Sequence, residues 1–521
     1  MNRHTALTAV VVITGILVGV SPLLPLFDFQ IDLGIGTLLF WLFIGIVLLL
    51  IAGVPLGFAT GSLGAVVIWI KFGEAGLGLV LLRIYDLISA HVFIAIPFFI
   101  VMAALLERSG IAKDTYDALS ILLQRLRGGV AIATTVLSVI MAAMSGIIGG
   151  EIVLLGLVAL PQMLRLGYDK HLAIGTICAG GSLGAMIPPS VVLIIYGLIT
   201  ETSITKLFTA SFIPGLMLAV AYILYIAIRT RLNPALAPLP SRSELTATST
   251  RPAIELAFVV FPFMVGLFGI ALVSLFYTDL FNRIAVFIFS SAIVALLLLI
   301  WLRKQGGYPI ASGLLPLLVI VDLVLGSIYG GVTGITEAAA MGVVVTLLLI
   351  FIRSELNTTL VLEALQQTFV SVGSIMWVTF GATVLAGAFT LSGGGKFVAD
   401  AILALDVAPI VIIMVMMLIF FLLGMFMDWV GVVLVTMPVF LPIVIQLGYD
   451  PIWFGVLFCV NMQMAFLTPP FGSAAFYLKS VAPPDIDLLT IYRSFIPFLV
   501  IQAFILGVLM AFPAISLFLV R

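Results

Sequence analysis

Two proline pairs stand inside apolar runs where a continuous helix would tolerate neither. Pro188-Pro189 closes the stretch Gly180-Gly-Ser-Leu-Gly-Ala-Met-Ile-Pro-Pro-Ser190, and Pro469-Pro470 lies in Asn461-Met-Gln-Met-Ala-Phe-Leu-Thr-Pro-Pro-Phe-Gly472. A proline has no amide proton and leaves the carbonyl four residues earlier without its helical donor. In lipid such a carbonyl must be satisfied by the protein, by water or by a ligand. Backbone carbonyls are hard oxygen donors that suit a hard cation, so the chemistry these breaks offer is sodium coordination by unwound backbone. A packing kink is the plainer account of one break alone; two equivalent breaks favour the cation. Ionisable groups flank two further interruptions: Glu151 follows Met144-Ser-Gly-Ile-Ile-Gly-Gly150, and Asp428 precedes Trp429. At membrane depth such groups are costly and point to function, against the alternative that they sit at the water interface. Trp429 borders its interruption and can shape a cavity there.

The sequence offers little else that could react. There is no His-Glu-x-x-His motif, no nucleophile elbow, no P-loop and no clustered set of His, Asp and Glu. Cys178 and Cys459 are far apart, which argues against a disulfide framework or a zinc site, and the only histidines are His4, His91 and His171. No catalytic residues and no cofactor are expected, and a membrane-embedded enzyme is disfavoured. A channel would need a pore lined in both halves but no paired hairpins.

The elements that must hold the breaks are membrane helices. Of 521 residues, 63% are hydrophobic and 9% charged, against about 25% charged in a soluble chain. Lipid is therefore the main solvent. The net charge of −1 gives no field for nucleic acid. Apolar segments of spanning length run over 37–57, 60–72 extended by 76–90, 92–106, 172–200, 208–228, 254–277, 283–302, 313–330, 335–352, 368–391, 407–425, 452–481 and 494–519. An earlier one, about Ala6 to Phe27, reads as a retained first transmembrane helix rather than a cleaved signal. Segments 130–164 and 412–446 are too long for one helix and read as hairpins. Basic residues cluster at Arg108, Lys113, Arg125 and Arg127, at Arg165 and Lys170, and at Arg229, Arg231, Arg242 and Arg251, which places those connections in the cytoplasm. Segment 130–164, lying between two cytoplasmic clusters, must enter and leave on one side. The Pro/Ser/Thr-rich stretch 231–253 reads as a cytoplasmic linker.

An internal repeat ties the breaks together. Leu-Gly-Tyr-Asp occurs at 166–169 and at 447–450, an offset of 281 that also pairs Leu160-Pro161 with Leu441-Pro442, Cys178 with Cys459, the two Pro-Pro pairs, and Tyr196 with Tyr477. Ser211-Phe-Ile-Pro214 matches Ser494-Phe-Ile-Pro497 at 283. Repeated halves with matching breaks point to a transporter core. The expected organisation is an extra N-terminal helix (1–34), scaffold helices (35–127), a first repeat with hairpin and broken helix (128–230), a linker with an inserted helix pair (231–311), scaffold helices of the second half (312–406) and a second repeat (407–521). The fold class is all-α, an inverted-repeat transmembrane transporter.

At these motifs the chain resembles the large membrane subunit of tripartite ATP-independent periplasmic (TRAP) transporters. The matching text is Gly-Tyr-Asp-Lys-His-Leu-Ala-Ile-Gly-Thr at 167–176, Gly-Ala-Met-Ile-Pro-Pro-Ser at 184–190, Thr200-Glu-Thr-Ser203, Ile213-Pro-Gly215, Gly330-Gly-Val-Thr-Gly-Ile-Thr-Glu-Ala-Ala-Ala340, Gly448-Tyr-Asp-Pro451, Asn461 and Thr468-Pro-Pro-Phe-Gly472. The resemblance implies an elevator mechanism, sodium-driven uptake across the bacterial inner membrane, a periplasmic solute-binding protein that delivers the substrate, and a separate small membrane subunit of about four helices. Carried over by position, one cation site would use Ser145, Gly184, Ile187 and Pro189. The repeat would place the other at Met427, Asp428, Ala465, Thr468 and Pro470. The substrate, a small carboxylate or related organic acid, would lie between the hairpin tips near Gly149, Gly150, Ser190, Trp429 and Asn461. The chain departs from the family pattern in its tip, where Ser145-Gly146-Ile147-Ile148 replaces Ser-Gly-Ser-Ser and drops a hydroxyl ligand. Residues 254–302 add a helix pair, which resembles the longer, mannitol/chloroaromatic-like subgroup. A stand-alone carboxylate carrier of similar architecture, needing no binding protein, is the nearest rival.

Overall fold

The structure is a computed structural model that describes residues 34–146, 149–239, 252–273, 280–403, 407–470 and 472–520. The expected first helix, most of the linker 231–253, and Ile147 and Ile148 lie outside the described residues. In chain order the helices are α1 (Ile35–Ile51), α2 (Leu56–Ser89), α3 (Ala95–Arg108), α4 (Ile111–Leu123), α5 (Gly129–Ser145), α6 (Gly150–Arg165) and α7 (Lys170–Ser182). There follow α8 (Val191–Ile199), α9 (Ile204–Leu232), α10 (Pro252–Val273), α11 (Leu280–Gln305), α12 (Pro309–Val321), α13 (Ile335–Ile352) and α14 (Thr358–Leu391). The last are α15 (Gly394–Leu403), α16 (Pro409–Gly424), α17 (Trp429–Gln446), α18 (Pro451–Leu467), α19 (Ser473–Lys479) and α20 (Leu488–Ala511). Among the described residues there is no strand, and ten helices are long and apolar enough to cross a membrane. The stretch expected at 60–72, extended by 76–90, forms one element, α2, which turns at Gly73 (φ 61°), where glycine leaves the allowed region of other residues at little cost.

The chain divides into two compact units. The first comprises the chain up to Ala90, Gly373–Met416 and Met427–Tyr449. Its centre is a seam of small residues. A Cβ on Gly57 would stand 2.7 Å from the Trp377 carbonyl oxygen, one on Gly64 2.8 Å from the Leu385 Cα, and one on Gly381 2.0 Å from the Gly57 carbonyl. Glycines thus let the backbones of α2 and α14 approach closely, the usual solution where lipid provides no hydrophobic drive between helices. Leu42, Ile46 and Leu385 are buried beside this seam with Leu63, Val67 and Val435 packed on them.

The second unit, His91–Val372, Met417–Phe426 and Asp450–Arg521, carries both broken helices. The first, α7, is embedded through its glycines: a Cβ on Gly175 would meet the Ser494 carbonyl at 2.5 Å, and one on Gly180 would meet Ser138 Oγ at 2.4 Å. The inserted pair α10–α11 docks on α12 through buried Glu255, whose carboxylate accepts from the Ile310 amide at 2.6 Å and the Ala311 amide at 3.2 Å. That acid satisfies two of the donors left open at a helix start.

The repeated Leu-Gly-Tyr-Asp tetrads build the same corner twice. Gly167 and Gly448 have φ of 79° and 78°. The Tyr168 amide donates to the Met163 carbonyl and the Tyr449 amide to the Val444 carbonyl, both at 3.0 Å, which is the glycine-terminated helix end expected of a left-handed C′ residue. The aspartates then cap the next helices: Asp169 accepts from the Leu172 amide (2.9 Å) and Asp450 from the Ile452 amide (2.8 Å). Sequence identity at the offset of 281 therefore corresponds to the same glycine-ended helix and the same aspartate cap, which bonds the amide three residues on at Asp169 and two residues on at Asp450.

Candidate functional site

The first break forms where α7 passes through a 3-10 turn, Leu183–Ala185, into an irregular turn and bend over 186–189, and the chain is extended at Ser190, from which α8 starts. Prolines 188 and 189 supply no amide for the Gly184 and Ala185 carbonyls. Ser190 Oγ takes over the second of these, donating to the Ala185 oxygen at 2.7 Å. The Pro188–Pro189 and Pro469–Pro470 peptide bonds are both cis. All residues from Gly181 to Ser190 are buried, so the carbonyls of this segment are held away from bulk water.

The first hairpin, α5 and α6, brings its tip onto this break. Ser145 is the last residue of α5 and Gly146 caps it with φ 57°. The Gly146 carbonyl accepts from the Val191 amide at 3.2 Å, and a Cβ on Gly146 would lie 2.3 Å from the Pro189 carbonyl oxygen. The structure thus brings Gly146, next to Ser145, against Pro189 and Val191 at one tip-to-break contact; Gly184, Ile187 and Ser190 lie within the same buried break. The donors offered there are backbone carbonyls, which fit a hard cation. Gly149, with φ 121°, and Gly150 open α6 on the other side of the tip. A Cβ on Gly149 would meet the Tyr477 ring at 2.9 Å, and one on Gly150 would overlap the Glu107 carboxylate.

Three features of this region carried no role in the sequence reading. Buried Gln502 donates to Tyr222 Oη at 2.8 Å and reaches Ser182 Oγ at 3.4 Å, fixing the end of α7 just before the break. Tyr477 and Tyr196, paired by the repeat, have different surroundings. Tyr196 is buried and donates to the Pro451 carbonyl at 2.7 Å, whereas Tyr477 is half-exposed and lies over the hairpin tip. Tyr492 Oη donates to the Pro470 carbonyl at 3.1 Å. The matched tyrosines were visible in the sequence, but only packing separates the structural one from the one at the tip.

The second break is more open. α18 ends at Leu467, the Thr468 amide donates to the Ala465 carbonyl (3.1 Å) and its hydroxyl to the Met464 carbonyl (2.7 Å). Ala465 is buried, Thr468 is half-buried and Pro470 is exposed. Asn461 is buried within α18 and donates to the Met417 carbonyl at 2.7 Å. Met427, Asp428 and Trp429 belong to the first unit, whereas Ala465, Thr468 and Pro470 belong to the second. Asp428 caps α17, accepting from the Val430 amide at 3.3 Å, and Trp429 is the first residue of that helix. Among the described residues no group of three or more His, Cys, Asp and Glu could hold a metal ion.

Residues 43–515 match the family model described as "Tripartite ATP-independent periplasmic transporter, DctM component". The chain is 27% identical to a C4-dicarboxylate TRAP transporter large permease protein of Vibrio cholerae, across 92% of this chain and 96% of the relative. It is 27% identical to the Pseudomonas aeruginosa protein of the same description, over 84% and 88% of the two chains. A sialic acid TRAP transporter large permease protein of Vibrio cholerae is 26% identical over 93% and 98%. Among solved structures, the Alcanivorax borkumensis YdaH transporter superposes with a TM-score of 0.52 at 16% identity, over 87% of this chain and 96% of that one; this likeness is one of fold.

Proposed function

This chain belongs to the DctM component family of tripartite ATP-independent periplasmic transporters, and we propose that it performs sodium-coupled uptake of a small organic acid delivered by a periplasmic solute-binding protein. It is a transporter subunit rather than an enzyme, and a multi-pass protein of the inner membrane. The observation that carries the sodium reading is the buried first break, clasped by the hairpin tip, with carbonyls that prolines deprive of amide donors. In this reading Ser145, Gly184, Ile187 and Pro189 hold one cation. The repeat offset assigns Ala465, Thr468 and Pro470 to a second set, which Met427 and Asp428 of the second hairpin tip would complete. Cation binding would draw the tip at Gly146 onto the break, so that loading and closure are linked. Gly149, Gly150, Ser190, Trp429 and Asn461 are assigned to the solute cavity from the family resemblance, which implies a substrate between the hairpin tips.

The solute class rests on the relatives, whose names specify C4-dicarboxylates and sialic acid. A small membrane subunit of about four helices is the expected second partner, and an elevator movement of the repeats (128–230 and 407–521) past scaffold helices is the expected transport step. The test is Pro189→Ala and Thr468→Ala. Each should raise the sodium concentration for half-maximal uptake about tenfold or more, equivalent to about 1.4 kcal/mol, with unchanged membrane insertion. Normal sodium dependence in both variants would remove the cation assignment.

A further inference from the structure

Four span ends meet at one edge of the second unit: the end of α11, the start of α12, the start of α4, and Arg353 just after α13. Between them lies a cavity of about 450 Å3, whose walls include Asp114, Arg303, Gly306, Gly307, Tyr308 and Arg353. The basic connection 108–127 places this edge on the cytoplasmic side. Arg353 is neutralised within the protein, bonded to Asp114 Oδ2 at 2.5 Å and Glu355 Oε1 at 2.8 Å. Arg303 uses one N–H on the Ile352 carbonyl at 2.9 Å, and among the described residues it forms no ion pair. Asp114 gives one carboxylate oxygen to Arg353, and its side chain is 47% exposed. The cavity therefore presents a guanidinium on one wall and a carboxylate on another, with two left-handed glycines, Gly306 and Gly307, between α11 and α12.

The surroundings are those of a lipid interface. Trp301 and Tyr308 lie 6.0 Å apart, and both contact Phe258, an aromatic group of the kind that settles at headgroup level. Exposed Ile293, Leu297 and Ile300 follow helical spacing along α11 toward Arg303. We propose that this cavity seats the headgroup of a phosphatidylethanolamine-class phospholipid, its phosphate on Arg303, its ammonium on Asp114, and an acyl chain along the Ile293–Leu297–Ile300 stripe. The half-exposed Asp114 carboxylate on the same cavity as the Arg303 guanidinium selects a headgroup that carries an ammonium donor beside its phosphate over an anionic lipid, which would leave that carboxylate facing a second negative group. The stripe selects a lipid over a soluble phosphodiester.

The test is native mass spectrometry of the full chain in detergent with equimolar phosphatidylethanolamine, phosphatidylglycerol and phosphatidylcholine, and separately with soluble glycerophosphoethanolamine. The wild type should retain phosphatidylethanolamine about tenfold over the other two, and should not retain the soluble headgroup. Arg303→Ala should lose all three lipids, while Asp114→Asn should keep lipid but bind phosphatidylethanolamine and phosphatidylcholine alike. If Asp114→Asn does not fold, the wild-type discrimination against phosphatidylcholine, whose methylated ammonium has no N–H to donate, tests the same contact. Equal or greater retention of phosphatidylglycerol, retention of the soluble headgroup, or lipid binding undiminished in Arg303→Ala would each overturn the proposal.

Discussion

An alanine at position 146 would place its Cβ 2.3 Å from the Pro189 carbonyl oxygen and hold a φ of 57°, in a region that costs a side chain roughly 1–2 kcal/mol. The obstacle is backbone, so it cannot rotate away as a long side chain would. Gly146→Ala should therefore lower the initial rate of sodium-driven uptake at least about tenfold at equal expression. Uptake at the wild-type rate would mean that the tip-to-break contact does not matter to transport. The prolines and glycines that make this contact were legible in the sequence because each has one backbone peculiarity that any apolar context exposes. The polar partners were not. Gln502 and Tyr222 sit on helices far from the break in sequence, and no local pattern predicts that they meet at Ser182.

Among the elements, the broken helices depend on how their first halves are started. Asp169 caps α7 and Asp450 caps α18, and loss of such a cap typically costs about 1 kcal/mol. Asp169→Ala and Asp450→Ala should each lower the thermal midpoint of the purified protein by a few degrees or less. A loss in only one of them would show that the repeated corners are not energetically equivalent. α7 is also tied by Lys170 to Asp485 at 2.6 Å, in the connection that leads to α20. The hydrogen bond from Lys170 holds the Asp485 carboxyl below its ordinary range. Because the folded-state value is depressed, this contribution is present above about pH 4 and is lost as the pH falls through the lower value. Both partners are exposed to solvent and screened, so Asp485→Asn should leave uptake at pH 7 unchanged; a large loss would assign the pair a transport role. The membrane helices, the two breaks and the first hairpin were readable from apolar length and from the positions of proline and glycine. The stretch 60–72 extended by 76–90 is the single element α2, but its bend at Gly73 was not readable, because hydropathy does not distinguish a kinked helix from a straight one.

At the scale of the molecule, the repeat was the most informative feature of the sequence. Its offset of 281 recurs in the structure as matched corners and matched breaks. The repeat does not report where its copies differ: the first break is buried while Pro469 and Pro470 are exposed, and Tyr196 and Tyr477 have parted in role. Such differences arise from packing against unlike neighbours, which a comparison of the two halves alone cannot supply. The central claim, that this family member couples sodium to uptake of an organic acid supplied by a binding protein, is tested most directly in liposomes. The chain would be reconstituted with its small membrane subunit, and entry of labelled organic acids would be measured under an inward sodium gradient, with and without the solute-binding protein. The account predicts accumulation only when both the gradient and the binding protein are present. Accumulation without the binding protein, or with the gradient collapsed, would contradict it.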